Sequence, residues 1–322
     1  MPDTFCYLLG AGASCNALPV SANLPDKMEQ FVIDYRTFRE DLSKQKSSDS
    51  SLPTDTLQFE DHFIDSMKWL IEETRRHTSV DTIAKKLFLK TDMRNLNRLK
   101  ATLSTFMILL QAMKPTDYRY DALLATILQS NVLRQIEMPS NIVFVTWNYD
   151  LQMEKAYYAY TQDIKGIYQQ VSRKIERING QAGSTPSGHF TKYIQAGICG
   201  FSIDTVLIAL EMYSLYATDA NRYIDDICFA WESDNTIFER NITPIIDKTS
   251  ILIDIGYSFP YFNRDIDRII LRNMPNLRRI YLQVLKPEHE FIKTRISALT
   301  NDKVRDIQLV NDEKKFFIPY EL

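Results

Sequence analysis

An apolar strand that runs straight into two glycines, Phe5 to Ser14 (FCYLLGAGAS), constrains the fold of this chain more than any other feature. The chain has nine glycines and none lies between Gly12 and Gly166, so Gly10 and Gly12 punctuate one turn and do not reflect a flexible composition. Such a turn has the build of a phosphate cradle. Without Cβ atoms the backbone can adopt φ > 0 and come close to a ligand, and the N–H groups opening a following helix favour an anion. A dinucleotide is the natural guest. Ala13, Ser14 and Cys15 follow Gly12, so the full G-x-G-x-x-G pattern is not met, and a tight turn without a ligand fits the same residues.

Two further segments share this design. Asn141 to Asp150 (NIVFVTWNYD) is a strand pattern over Ile142 to Val145 that ends abruptly in Thr, Asn and Asp. Ser250 to Asp265 (SILIDIGYSFPYFNRD) is an apolar strand followed by Gly256, Ser258 and Pro260 and then by a helix pattern. In an open parallel sheet ligands bind beyond the carboxyl ends of the strands, where all three polar clusters would fall.

Together, Gly10-Ala11-Gly12-Ala13-Ser14, Thr146-Trp147-Asn148-Tyr149-Asp150 and Gly256-Tyr257-Ser258-Phe259-Pro260 resemble the SIR2 family. The likeness is to its bacterial SIR2-like, NAD-consuming branch and not to the sirtuin deacylases. GAGAS is similar to the family's glycine motif, T-x-N-x-D to the motif lining the nicotinamide pocket, and GYSFP, with Asn263 and Asp265 after it, to a segment common in SIR2-like proteins. The resemblance implies that NAD is the substrate, held by Gly10, Ala11, Gly12, Ala13, Ser14, Thr146, Asn179, Gly256 and Ser258. It also implies antiphage defence by NAD depletion, with a homo-oligomer or a neighbouring-gene partner, such as an ATPase or sensor subunit, restraining the activity.

The residue chemistry bears on those roles. Breaking the nicotinamide–ribose bond passes through an oxocarbenium-like transition state and releases a neutral base, so the protein has to fix geometry and place a nucleophile. Asn148 can hold a water or ribose hydroxyl, because an amide both donates and accepts. By resemblance, Asp150 binds the carboxamide or orients Asn148; equally, both residues can cap a helix starting near Leu151. The resemblance also implies a His-Gly pair after the second motif, but the local counterpart is Asn179-Gly180, and an amide is no base near neutral pH. His189 is the only histidine between the second and third motifs and is the candidate base. His62, His77 and His289 read as surface or packing residues. If no base is present, an NAD- or ADP-ribose-binding regulatory subunit is the alternative.

The fold class expected is α/β: a Rossmann-like, doubly wound parallel sheet with an inserted helical layer and a small irregular subdomain. The whole of 1–322 reads as one SIR2-like domain, with its core in 1–20, 140–165 and 249–322. Residues 21–139 form a helical insertion. Its stripes are Phe63, Met67, Leu70 and Ile71; Leu99, Leu103, Phe106 and Leu110; and Leu124, Ile127, Leu128 and Val132. Arg39 to Thr56, polar and serine-rich, reads as a mobile loop. Residues 166–248 form the small subdomain, with five glycines in RINGQAG, PSGHF and AGICG; Val206–Tyr216 and Asn221–Ala230 fit helix or short strand. Ile266, Ile269 and Ile270 mark a helix face, Arg279–Val284 a strand, Pro287–Leu299 a helix and Asp306–Val310 a last strand.

Composition fits an enzyme-sized protein: 322 residues, 45% hydrophobic, with a formal net charge of −3 that gives no reason for bulk nucleic-acid binding. No stretch of about 18 apolar residues is present, and Asp3 without a preceding Lys or Arg argues against a signal peptide, so a cytoplasmic location is expected. Cys6, Cys15, Cys199 and Cys228 include no C-x-x-C pair, so the zinc site of the sirtuins cannot be built and no metal is expected. Cys6 and Cys228 read as buried thiols.

Overall fold

A computed structural model describes residues 3–45, 54–132, 136–183, 196–198, 200–220, 223, 225–232, 234–300, 303–304 and 306–322. Its six-stranded sheet comprises β1 (Phe5–Leu9), β4 (Ile142–Thr146), β5 (Ile175–Arg177), β6 (Ile251–Ile255), β7 (Arg279–Gln283) and β8 (Asp306–Leu309). All pairings in it are parallel, in the order β5-β4-β1-β6-β7-β8. A two-residue antiparallel pair, β2 (Gln129–Ser130) with β3 (Ile136–Glu137), stands outside this sheet. The chain moves outward from β1 to β4 and β5, then returns to the other side of β1 for β6, β7 and β8. The strand order therefore reverses at the β1/β6 boundary, as in a Rossmann-like fold.

Parallel neighbours cannot be joined by tight turns, and helices supply the crossovers. Between β1 and β4 lie α1 (Leu24–Gln45), α2 (Thr54–Arg76), α3 (Val80–Leu89), α4 (Met93–Met113) and α5 (Tyr118–Ile127). Helices α6 (Gln152–Thr161) and α7 (Ile164–Gln170) precede β5, and α8 (Ile203–Thr218) and α9 (Asn235–Ile246) precede β6. Helices α10 (Arg264–Arg272) and α11 (His289–Thr300) lead to β7 and β8. Side chains alternate across a strand, so each sheet face has its own core. Tyr7, Phe144 and Ile253 meet α5 and α6 on one face, and Leu8, Val145 and Leu252 meet α9, α10 and α11 on the other. Strands β1 and β6 are buried along their whole length, as expected for a sheet covered on both faces. Helices α1 to α4 and α8 enclose a third apolar cluster around Phe31, Phe63, Phe106 and Tyr213.

The first two helical stripes fall on α2 and α4 and are buried as expected. The third is shorter: α5 ends at Ile127, and Val132 lies beyond it, fully exposed. The expected loop over Arg39–Thr56 is also corrected, because Arg39 to Gln45 complete α1 and Thr54 opens α2; residues 46–53 lie outside the described residues. Polar composition misled here because an ion pair holds the end of α1 in place. Arg39 Nε donates to Glu60 of α2 at 2.7 Å, and Tyr35 Oη donates to the same carboxylate at 2.6 Å. Val206–Tyr216 belongs to a helix, α8, capped by the Ser202 hydroxyl accepting from Thr205 N. The two strands and two helices anticipated after Gly256 are present, with the expected ends met within one or two residues.

Candidate functional site

The carboxyl ends of β1, β4 and β6 open into one cavity of about 300 Å³ where the strand order reverses, the low end of the range for small-molecule sites. Ala11, Ser14, Asn148, Asp150, Gly256 and Ser258 line it, and Asn179 joins them from the segment after β5. Gly10, Gly12, Ala13 and Thr146 are adjacent in the chain but are not lining residues. His189 lies outside the described residues. The three motifs thus share one site, as their positions at strand ends require.

Gly10 and Gly12 meet a packing need, and neither takes the positive φ that the turn was expected to use. Gly10 has φ −103°, and neither it nor Gly12 is among the positive-φ residues. Both are instead pressed against the third motif. A Cβ on Gly12 would stand 2.7 Å from Gly256 Cα, and one on Gly10 would stand 2.6 Å from Tyr257 Cβ and closer still to Gly256 O. Gly256, at φ +65°, is the residue that uses glycine's conformational freedom. Backbone bonds lock the junction: Gly10 N donates to Ile255 O at 3.0 Å and Gly12 N to Gly256 O at 3.1 Å. No α-helix follows directly. Ala11–Ser14 is a single 3-10 turn and α1 starts only at Leu24, so the loop lacks the aligned N–H groups of a long helix. Arg119 braces the loop from behind, donating to Gly12 O at 3.0 Å and Ala13 O at 3.1 Å while paired with Asp117 at 2.6 Å.

Asn148 is oriented by its neighbours. Its backbone N donates to Thr146 Oγ1 at 3.0 Å, and its Nδ2 donates to Gly10 O at 2.9 Å. A carbonyl at Gly10 requires the nitrogen to face it, which leaves Asn148 Oδ1 as an acceptor without a partner among the described residues. Asp150 is committed on both oxygens. Oδ2 accepts from Ser14 Oγ at 2.8 Å and Oδ1 from Gln152 N, in the first turn of α6, at 3.0 Å. Asp150 therefore ties the glycine loop to a helix start, and burial pushes its carboxyl above the usual range. Asn179 Nδ2 donates to Trp147 O at 3.1 Å, while its Oδ1 is buried with no partner. Trp147 and Tyr257 stack in the wall, 5.2 Å apart and 13° from parallel.

Below this wall lies a buried acidic layer. Tyr257 Oη donates to Asp267 at 2.9 Å and accepts from Asn263 Nδ2 at 3.1 Å, and Tyr257 N donates to Asp254 Oδ1 at 3.2 Å. Asp254 Oδ2 has no partner, and burial holds both Asp254 and Asp267 well above the ordinary carboxylate range. Beside them Phe259 takes φ +48°, a left-handed conformation that costs a bulky residue about 1–3 kcal/mol, pinned by Arg295 donating to Ser258 O and Phe259 O. The raised Asp254 pKa predicts a pH dependence with a definite sign. Between the unfolded value of about 3.9 and the raised folded value the native state binds the extra proton, so stability falls as pH rises through that window. Asp254→Asn should therefore be more stable than the parent at pH 8, with the gain disappearing below about pH 4. Urea unfolding at both pH values checks this, and an equal gain or a loss at both contradicts it.

One ionisable lining residue carried no motif signal. Asp81 enters the cavity from the first turn of α3, whose start is set by Ser79 Oγ accepting from Thr82 N at 3.2 Å. In the sequence Ser79 and Asp81 indicate only a helix start; the cavity wall they form is created by the docking of α3. The remaining candidates are accounted for by packing or exposure. His289 is buried with Nε2 3.0 Å from Val284 O, His77 Nδ1 is 2.8 Å from Glu73 O, and His62 is exposed. Cys6 is buried, whereas Cys228 is only partly buried, a correction to the buried thiol expected there. Among the described residues no group of three or more His, Cys, Asp or Glu is arranged to hold a metal ion, and no helix is long and apolar enough to cross a membrane. Compared with protein-family models and with curated proteins, the chain matches none.

Proposed function

We propose that this chain is an NAD glycohydrolase: water attacks the anomeric carbon of the nicotinamide riboside, the C–N electron pair leaves with neutral nicotinamide, and ADP-ribose and a proton are the other products. The observation that carries this reading is the convergence of the three motif-bearing strand ends on one cavity, with Asn148 Oδ1 left as a free acceptor. With its N–H group committed to Gly10, Asn148 accepts from the attacking water or a ribose hydroxyl and so fixes it in place. The unpartnered Oδ1 of Asn179 offers a second acceptor for an amide or hydroxyl. Gly10 and Gly12 let the loop dock against Gly256, and Ala11, Ser14 and Ser258 form the surface facing the dinucleotide.

In this reading 1–322 is one SIR2-like unit, with 21–139 as a helical insertion on a Rossmann-like core and 166–248 as a small subdomain whose β5 joins the core sheet and which supplies Asn179 to the site. It works in the cytoplasm as an effector of bacterial antiphage defence, held in check by self-assembly or by a partner protein. Purified protein incubated with NAD should release nicotinamide and ADP-ribose in equal amounts, measured by chromatography with and without the product of a neighbouring gene. Tight NAD binding with no release under either condition would favour the second reading, a regulatory subunit that senses NAD or ADP-ribose. Asn179, an amide at the position where a base is expected, is the observation that favours it.

A further inference from the structure

We propose that Asp81 is the proton acceptor for the attacking water, a role that rests on the hydrolase reading. The cavity is lined by few ionisable groups: Asp81, Asp150, Tyr149 and Tyr257, with no Lys, Arg or His among the described lining residues. Asp150 is the poorer base, because hydrogen bonds from Ser14 Oγ and Gln152 N to its two oxygens stabilise the carboxylate and lower its proton affinity. Tyr257 is buried and Tyr149 partly buried, and both phenols are held well above their ordinary pKa, so both are neutral near pH 7. The Asp81 carboxyl has no hydrogen bond to another residue and no ion pair among the described residues; it accepts from its own backbone N–H and lies close enough to Tyr149 for its charge to help hold that phenol neutral. Its position is fixed, because Val80, Ile83 and Ala84 anchor α3 in the core on either side of it. Burial raises its pKa above the ordinary aspartate range, which makes the carboxylate a better base while α3's first turn still favours its charge. A carboxylate in a cavity lacking lining cations also suits the end of NAD that carries positive charge, the nicotinamide ring before cleavage and the ribose during it. In the step itself the water oxygen bonds to the anomeric carbon, the C–N pair departs with nicotinamide, and the water proton passes to Asp81 and then to solvent.

Azide separates this role from a structural one, since as an anionic nucleophile it needs no deprotonation. Asp81→Ala and Asp81→Asn should bind NAD within about threefold of the parent, melt at the same temperature or higher, and lose nicotinamide release by about 100-fold or more. Added azide should restore nicotinamide release in Asp81→Ala and yield the azido adduct of ADP-ribose, with little effect on the parent. The proposal is overturned if either variant retains turnover within about threefold, or if activity is lost and azide does not restore it. It is equally overturned if His189→Ala, and not Asp81→Ala, shows the azide-restored loss. No nicotinamide release by the parent protein would instead bring down the hydrolase reading itself, and this proposal with it.

Discussion

Asn148→Ala is expected to keep NAD binding while losing nicotinamide release by about 100- to 1,000-fold, the usual scale for removing one group that positions a reactant or stabilises a transition state. The argument rests on the division of labour within one side chain. One N–H of Nδ2 is committed to Gly10 O at 2.9 Å, which fixes the amide's orientation and leaves Oδ1 as the acceptor for a ligand. Losing the Nδ2 bond should cost about 1 kcal/mol of stability, too little to unfold a protein of ordinary stability. Calorimetric titration with NAD, beside a nicotinamide-release assay, measures the two effects separately. Turnover within tenfold of the parent would remove Asn148 from the chemistry.

Gly12→Val should damage the fold before it affects any ligand. Its Cβ would stand 2.7 Å from Gly256 Cα, a contact with backbone that no side-chain rotation can relieve. Making room means separating the ends of β1 and β6, which are joined by the Gly10–Ile255 and Gly12–Gly256 hydrogen bonds. The expected loss is about 3 kcal/mol or more, at the upper end for overpacking, and Gly10→Ala should behave in the same way. Reading the sequence alone puts the pyrophosphate where the added Cβ would go, and therefore expects a folded protein that has lost only its ligand. Urea unfolding decides between the two: a Gly12→Val variant with parental stability and no NAD binding would return the glycine to the ligand-approach role.

The elements of the sheet were legible because their signals are local. Phe5–Leu9 and Ile142–Val145 are continuous apolar runs and Ile251–Ile255 is one broken only by Asp254; each is followed by turn or polar residues and lies in a parallel strand of the core. The same locality made Arg39–Gln45 misleading, since its stability comes from Glu60 on another helix. Val206–Tyr216 could not be assigned for a related reason: it is apolar nearly all round, and its period is weak because α4 and α2 surround it. Within the site, the motifs picked out Asn148, Asp150, Asn179 and the glycines. They carried no information on which oxygen of each was already taken, and they did not mark Asp81.

Sequence alone therefore determined the parallel α/β framework, the three strand ends and their polar residues, because hydrophobic runs and turn chemistry act over a few neighbouring residues. Only the tertiary structure decided what those residues are free to do. Gly10 and Gly12 are held by Gly256 more than 240 positions away, Asp150 is taken by Ser14, and Asp81 reaches the cavity because α3 docks against α4. Hydrogen-bond occupancy and desolvation depend on which distant segments the fold brings into contact, and that information is spread over the whole chain.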